Sequence, residues 1–136
     1  MTVLASLGLL LIRIVAGLTF AAHGTQKLFG WFGGQGIDKT AEGFESMGLK
    51  PGKTMAVLGG LGELAGGLLF ALGFLMPLSA VIITITMLVA IFTAHAGKGY
   101  WNAQNGCEYN VHIIIVAIGV TLIGPGLYSI DYLLFS

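Results

Sequence analysis

Charge is what this chain lacks most. Of its 136 residues only 9% are charged, six Lys or Arg against six Asp or Glu, where a soluble domain carries about 25%. With 56% hydrophobic residues and a mean hydropathy of +0.92, there is too little charge to cover a surface facing water, so the expected solvent is a lipid bilayer. The formal net charge is zero and no basic run occurs, which removes the electrostatic footprint of a nucleic-acid binder. Cys107 is the sole cysteine, so the chain can form neither an internal disulfide nor a dithiol relay; the thiol reads as a small apolar filler. The first residues lack the cationic stretch and small-residue cleavage pattern of a secretory signal, so the N-terminal apolar segment is expected to be retained. No flavin, haem or cluster motif is present. The G-x-G inside GGLGELAGG follows no strand, which argues against a dinucleotide loop.

What the chain does have is apolar length. A spanning helix needs about 20 mostly apolar residues, and four windows qualify: 4–22, with Arg13 as its only charge; 54–75, with Glu63; 77–96, with His95 as its one titratable group; and 108–123, shorter, with Glu108 and His112 at its start. The punctuation agrees. Pro77 suits a first helical position, Gly97 suits a helix stop, and Gly124-Pro125-Gly126 must end the fourth segment. After that break, YSIDYLLF starts a last short turn with Ser129 as cap, Tyr128 and Tyr132 lying at headgroup level. The expected fold is a single all-α domain over 1–136, an integral membrane four-helix bundle.

The connectors are unequal. Almost nothing separates the second and third segments, so they form a hairpin. The first connector is long, and inside it Ile37, Ala41, Phe44 and Met47 recur at helical spacing with Asp38, Lys39, Glu42 and Glu45 elsewhere. That pattern predicts a short amphipathic interfacial helix ending near Gly48. Four spans put both termini on one side. Lys27, Lys39, Lys50, Lys53 and Lys98 fall on the connector side, so the positive-inside rule expects cytoplasmic connectors and outside termini.

Antiparallel threading gathers His23, Lys27, His95, Glu108 and His112 at the connector end, with Trp31, Tyr100 and Trp101 at the interface beyond them. Arg13 and Glu63 each lie about 14–15 Å inside the connector-side boundary when depth is counted at 1.5 Å per residue from His23 and Thr54. Opposite charges at one depth should pair, because each alone costs about 2.5–3.5 kcal/mol or more near the bilayer centre. An Arg13–Glu63 ion pair is therefore expected, either as a structural clasp or as part of a functional site. The glycines around Glu63, notably Gly62 and Gly66 four apart, allow close helix approach. His23 and Lys27, also four apart, read either as a helix end where cations meet carbonyls and headgroups or as ligand contacts. Glu108 and His112, with His95, make too weak a set for a metal site, and Glu108 alone can stabilise a helix N-terminus. Ligation of haem by His23, His95 and His112 has no supporting motif.

HGTQKLFGWFGG at 23–34, GELAGG at 62–67, NGCEYN at 105–110 and GPGLYSIDYLL at 124–134, in this order and spacing, resemble the DoxX family of small four-helix membrane proteins over nearly the whole chain. The family is similar to the membrane subunit of a thiosulfate:quinone oxidoreductase, and its members are described as quinol oxidase subunits or as partners of redox-stress enzymes. The resemblance implies a component of a redox assembly in the bacterial inner membrane and carries over Arg13, His23, Lys27, Glu63, Glu108 and Tyr109 as motif positions without established roles.

Joined, these readings give a membrane subunit that binds a quinone or small redox ligand among Arg13, His23, Lys27, Phe29, Trp31, Glu63, His95, Glu108, Tyr109 and His112, with Arg13 and Glu63 as a polar floor. Quinone reduction takes up protons, and histidine suits that chemistry near neutral pH. Electrons have to come from a partner such as a soluble redox enzyme, so the chain is not expected to be an enzyme alone. The rival readings are a non-catalytic scaffold docking a cytoplasmic enzyme through the amphipathic connector, and a proton-coupled transporter, which in so small a bundle requires a homo-oligomer.

Overall fold

The computed structural model describes residues 1–135. Among them there are six α-helices and no strand: α1 (Val3–Phe29), α2 (Gly36–Ser46), α3 (Gly52–Leu72), α4 (Met76–Thr93), α5 (Glu108–Ile123) and α6 (Ile130–Phe135), with 3-10 turns at Trp31–Gly33 and Asn102–Gln104. Helices α1, α3 and α4 are long and apolar enough to cross a membrane; α5, at 16 residues, is shorter. Only 28% of the apolar window of α1 and of α4, and 39% of that of α3, is buried within the protein. Leu11, Val15, Leu58, Ile85, Phe92, Ile115 and Leu122 face outward, an arrangement that water would penalise and lipid does not.

α1 departs from its expected end. It does not stop at residue 22 but runs 27 residues to Phe29, about 40 Å at 1.5 Å per residue. Nothing in HGTQKLF breaks a helix except Gly24, and Gly24 is held there by packing on α3. The stop is Gly30, in the left-handed region at φ 76° with its N–H returned to the Gln26 carbonyl. At the other end the Thr2 side chain caps the helix by accepting from the Ala5 N–H, a standard N-cap arrangement.

α1 and α3 run antiparallel at backbone contact. A Cβ added at Gly24 would stand 2.5 Å from the Gly60 carbonyl oxygen and 2.7 Å from the Leu64 nitrogen; one added at Gly17 would stand 2.7 Å from the Gly67 oxygen and from the Ala71 nitrogen. Seven residues back along α1 thus match seven forward along α3, which fixes the register. The opposite face of α3 receives side chains of α4. Gly62 lies under Thr86 and Gly66 under Ile82 and Ile83, and the Ser79 hydroxyl donates to the Gly66 carbonyl at 2.9 Å. The core between α1, α3, α4 and α5 is Leu9, Phe20, Phe70, Met76, Ile83, Met87, Ile113, Ala117 and Val120.

The α3–α4 hairpin is locked from both ends of its turn. Gly73, at φ 65°, and Phe74 return their N–H groups to the last carbonyls of α3, as helix C-caps do. The Asp131 carboxylate accepts from Leu75 N–H at 2.7 Å and Met76 N–H at 3.0 Å, capping α4. α6 starts as expected, with the Ser129 hydroxyl accepting from Tyr132 N–H.

The amphipathic segment forms α2, and its end is marked by Gly48 at φ 87°. Its apolar face lies on protein: Phe44 stacks over Gly59 of α3, and the Thr40 hydroxyl reaches toward the Lys27 carbonyl at 3.5 Å.

Helix separation at the α1–α3 seam makes a direct test. Gly67→Ala, whose new methyl would meet the α1 backbone, is expected to lower stability by about 1–3 kcal/mol. Gly8→Ala, with nothing within 4 Å of its added Cβ, should not lower it and should gain up to about 1 kcal/mol in helix propensity. Thermal unfolding in one detergent compares them; equal midpoints would contradict the contact.

Candidate functional site at the connector end of α1 and α3

The register decides which cation meets Glu63. Glu63 lies one turn beyond Gly60 on α3, and so faces α1 near His23 and Gly24. Helical side chains slant toward their own N-terminus, so the long stem of Lys27 reaches back one turn to that level. Its ammonium forms an ion pair with Glu63 Oε1. The Glu63 side chain is 3% exposed and that of Lys27 32%, so the carboxylate is the buried member and the amine its lid toward the surface. A carboxylate so buried needs a partner, and Lys27 supplies it.

Arg13 is not that partner, contrary to expectation. The depth count assumed that α1 leaves the membrane at residue 22; with α1 continuing to Phe29, Arg13 falls level with the end of α3, about ten residues or 15 Å from Glu63 along the axis. There the guanidinium is 1% exposed and donates to three backbone carbonyls: Pro125 at 2.6 Å, Ala71 at 3.2 Å and Tyr128 at 2.9 Å. The Ala71 carbonyl is one of those left over at a helix C-terminus, where a cation is favoured. Arg13 therefore ties the GPGLYS segment to the α3–α4 turn. Its Nε has no partner.

Around the Lys27–Glu63 pair the structure gathers other expected residues. His23 Nδ1 lies 3.1 Å from Gln26 Oε1. An amide oxygen only accepts, so His23 carries its hydrogen on Nδ1 when neutral and leaves Nε2 as an acceptor. The same amide donates from Nε2 to the Phe32 carbonyl at 3.3 Å, which orients it. The His23 ring meets that of Tyr109 from α5 with centroids 5.5 Å apart and planes at 57°. Phe29 and Trp31 pair at 5.0 Å just beyond, both more than half exposed.

The remaining predicted residues lie in the loop between α4 and α5 or in the first turns of α5. His95 Nδ1 bonds the Asn105 carbonyl at 2.6 Å, Glu108 Oε1 accepts from Asn102 N–H at 2.9 Å, and His112 Nδ1 bonds the Glu108 carbonyl at 2.8 Å. They do not converge, and no group of three His, Cys, Asp or Glu among the described residues is placed to hold a metal ion. Cys107 precedes α5, half-buried and with a free thiol.

Sequence reasoning missed Gln26, Asp131 and Asn110. Gln26 was legible, three residues after His23 and so on the same helix face. Asp131 bonds to backbone across 55 residues of sequence, which no spacing reveals. Asn110 is 3% exposed; its Nδ2 lies 3.3 Å from the Met87 sulfur and its Oδ1 has no partner.

The pairing has a measurable consequence. Lys27→Met leaves the Glu63 carboxylate without its counter-ion and is expected to cost up to about 3 kcal/mol, with the double variant Lys27→Met/Glu63→Leu recovering most of it, because an apolar replacement of a buried pair is often neutral. Arg13→Lys and Glu63→Gln should add to within about 0.5 kcal/mol, as separated sites do. Melting midpoints of the single and double variants decide both; strong coupling between positions 13 and 63 would refute the register.

The chain is similar to a Bacillus subtilis (strain 168) protein named "Putative oxidoreductase CatD", with 27% identity over 130 residues that cover 96% of this chain and 89% of that one. No solved structure matches it. The pattern of the DoxX family matches residues 8–96, which include most of α1 and all of α2, α3 and α4, and with them Arg13, His23, Lys27 and Glu63. The chain belongs to the DoxX family of membrane proteins.

Proposed function

We propose that this chain is a membrane subunit of a bacterial redox assembly and binds a quinone, or a redox ligand of comparable size and carbonyl chemistry, at the connector end of its helices. The observation that carries the reading is the buried Lys27–Glu63 pair, one helical turn from the His23–Gln26 pair. The Phe29–Trp31 ring pair follows at the end of the same helix. In this reading α1, α3, α4 and α5 are four spans of an inner-membrane bundle, α5 being completed by the Gly124-Pro125-Gly126 segment. α2 lies along the interface. The lysine-bearing connectors are cytoplasmic and both termini outside.

The residues suit the ligand. Reduction of a quinone to a quinol consumes two electrons and two protons. The electrons have to come from a partner, such as a soluble redox enzyme, while this chain supplies binding and proton handling. Lys27 donates a charge-assisted hydrogen bond to a carbonyl oxygen. Glu63 holds the ammonium in place and can exchange a proton with it. His23, fixed in one tautomer by Gln26, presents Nε2 as a site that gains or loses a proton. Phe29 and Trp31 offer aromatic faces at the mouth. Arg13 has no part in this site, since three carbonyls and the α3–α4 turn account for it. The name of the Bacillus subtilis relative, which includes the word oxidoreductase, points the same way. A scaffold that docks its partner through Phe44 is less well supported, because Phe44 already covers Gly59.

Titration of the protein in lipid nanodiscs with a short-chain ubiquinone, read through quenching of Trp31 fluorescence in a Trp101→Phe background, tests the reading. Saturable binding is expected, weakened about tenfold or more by His23→Ala and by Glu63→Gln. If both variants fold and bind as the parent does, the site is not there.

A further inference from the structure

Resting on that reading, we propose that the ligand's head group seats in the cleft beneath α2, between that helix and the end of α1, and that this cleft selects a flat, acceptor-bearing group. The cleft holds about 390 Å³ and is lined by Gln26 and Lys27 from α1, by the Gly33–Gln35 turn, and by Thr40, Gly43, Phe44 and Met47 of α2. That volume lies within the range of ordinary small-ligand sites. Thr40, Gly43, Phe44 and Met47 recur at three- and four-residue steps, so one face of α2 roofs it.

Two glycines keep it open and one helps to shut it. A Cβ added at Gly33 or at Gly43 would meet nothing within 4 Å, so at both positions the absent side chain leaves space and not a contact. Gly34 is different: an added Cβ would overlap the Gln26 backbone, which packs the turn tightly against α1 and closes that side.

The donor count names the chemistry. An ammonium has three N–H donors, and Glu63 takes one from Lys27. The Gln26 amide donates one hydrogen to the Phe32 carbonyl and retains the other. Thr40 adds a hydroxyl, spent only on a long contact to the Lys27 carbonyl at 3.5 Å. No Asp or Glu lines the cleft. An occupant with carbonyl oxygens finds unspent donors here, whereas a cation finds no carboxylate to face. Phe44 and the Met47 thioether supply an apolar wall for a ring. Lys27 both pairs with Glu63 and lines the cleft, so in this proposal an occupant's oxygen competes for the remaining donors of that ammonium.

Filling the cleft without touching its polar groups tests this. Position 43 has ordinary helical φ in α2 and open space around it, so Gly43→Ala and Gly43→Leu should fold; Gly8→Leu, facing open space elsewhere on α1, is the control. With the short-chain ubiquinone titrated into nanodiscs, Gly43→Leu is expected to weaken binding about tenfold, Gly43→Ala less than about threefold, and Gly8→Leu not at all. Unchanged affinity in Gly43→Leu, with Glu63→Gln still disruptive, would overturn the cleft and leave the site at Lys27–Glu63 standing. Absence of quinone binding by the parent protein would overturn both. Competition by anionic phosphatidylglycerol but not by zwitterionic phosphatidylcholine nanodiscs would make an anionic lipid headgroup the occupant and equally overturn the quinone assignment.

Discussion

Backbone-to-backbone contact between α1 and α3 is the constraint from which the rest follows. In lipid there is little hydrophobic force to press two apolar helices together, and close approach through small residues takes its place. Gly17, Gly24, Gly60 and Gly67 provide that approach. They also favour the observed sliding position, in which the Leu28 side chain occupies the space that a Cβ at Gly60 would need. The register in turn determines which polar groups share a level. Glu63 meets the turn of His23, Gln26 and Lys27, while Arg13 meets the last turn of α3.

The few charges that the chain carries inside its helices are accordingly divided between two kinds of work. At the terminal end, Arg13 and Asp131 bond chiefly to backbone, to carbonyls of Ala71, Pro125 and Tyr128 in one case and to the N–H groups of Leu75 and Met76 in the other. Groups left over at helix ends and in an irregular segment cannot stay unpaired where water is scarce, and each charged side chain satisfies two or three of them. This is a structural use of charge. At the connector end, the partners are side chains: ammonium with carboxylate, imidazole with amide. Side-chain pairs can be opened and remade by an incoming ligand at far lower cost than a helix terminus, which is why a binding site is better supported there than at Arg13.

Much of the fold was legible because the bilayer leaves few alternatives to apolar helices. The four apolar windows, the brief turn before Pro77, the amphipathic α2 and the Ser129 cap all follow from local pattern. The glycine-rich stretch around Glu63 was legible as a packing surface, though not that it serves two neighbours, Gly60 and Gly67 toward α1, Gly62 and Gly66 toward α4. The Arg13–Glu63 pairing failed for one physical reason. Depth was counted from a helix end placed at the first polar residues, but polar residues near the end of a long apolar helix need not terminate it. Gly30, not His23, has the backbone conformation that stops α1. The error of about seven residues, nearly two turns, was enough to exchange one cation for another.

The same correction explains why the opening motif of the connector is concentrated in so few residues. With α1 prolonged through HGTQKLF, His23, Gln26 and Lys27 become one face of a continuous helix and not the start of a loop. Each then has a defined counterpart: Tyr109 for the imidazole, the Phe32 carbonyl for the amide, Glu63 for the amine. A loop could not hold three such partners at once without losing conformational entropy on the order of 1–2 kcal/mol per residue; a helix already anchored by Gly17 and Gly24 has that order in place. The left-handed Gly30 then turns the chain sharply enough for α2 to lie back over the same residues. Rigid support below and a short amphipathic helix above leave Lys27 between the buried Glu63 carboxylate and the cleft. In the proposed reading, a charged donor held there is what a carbonyl-bearing occupant would meet.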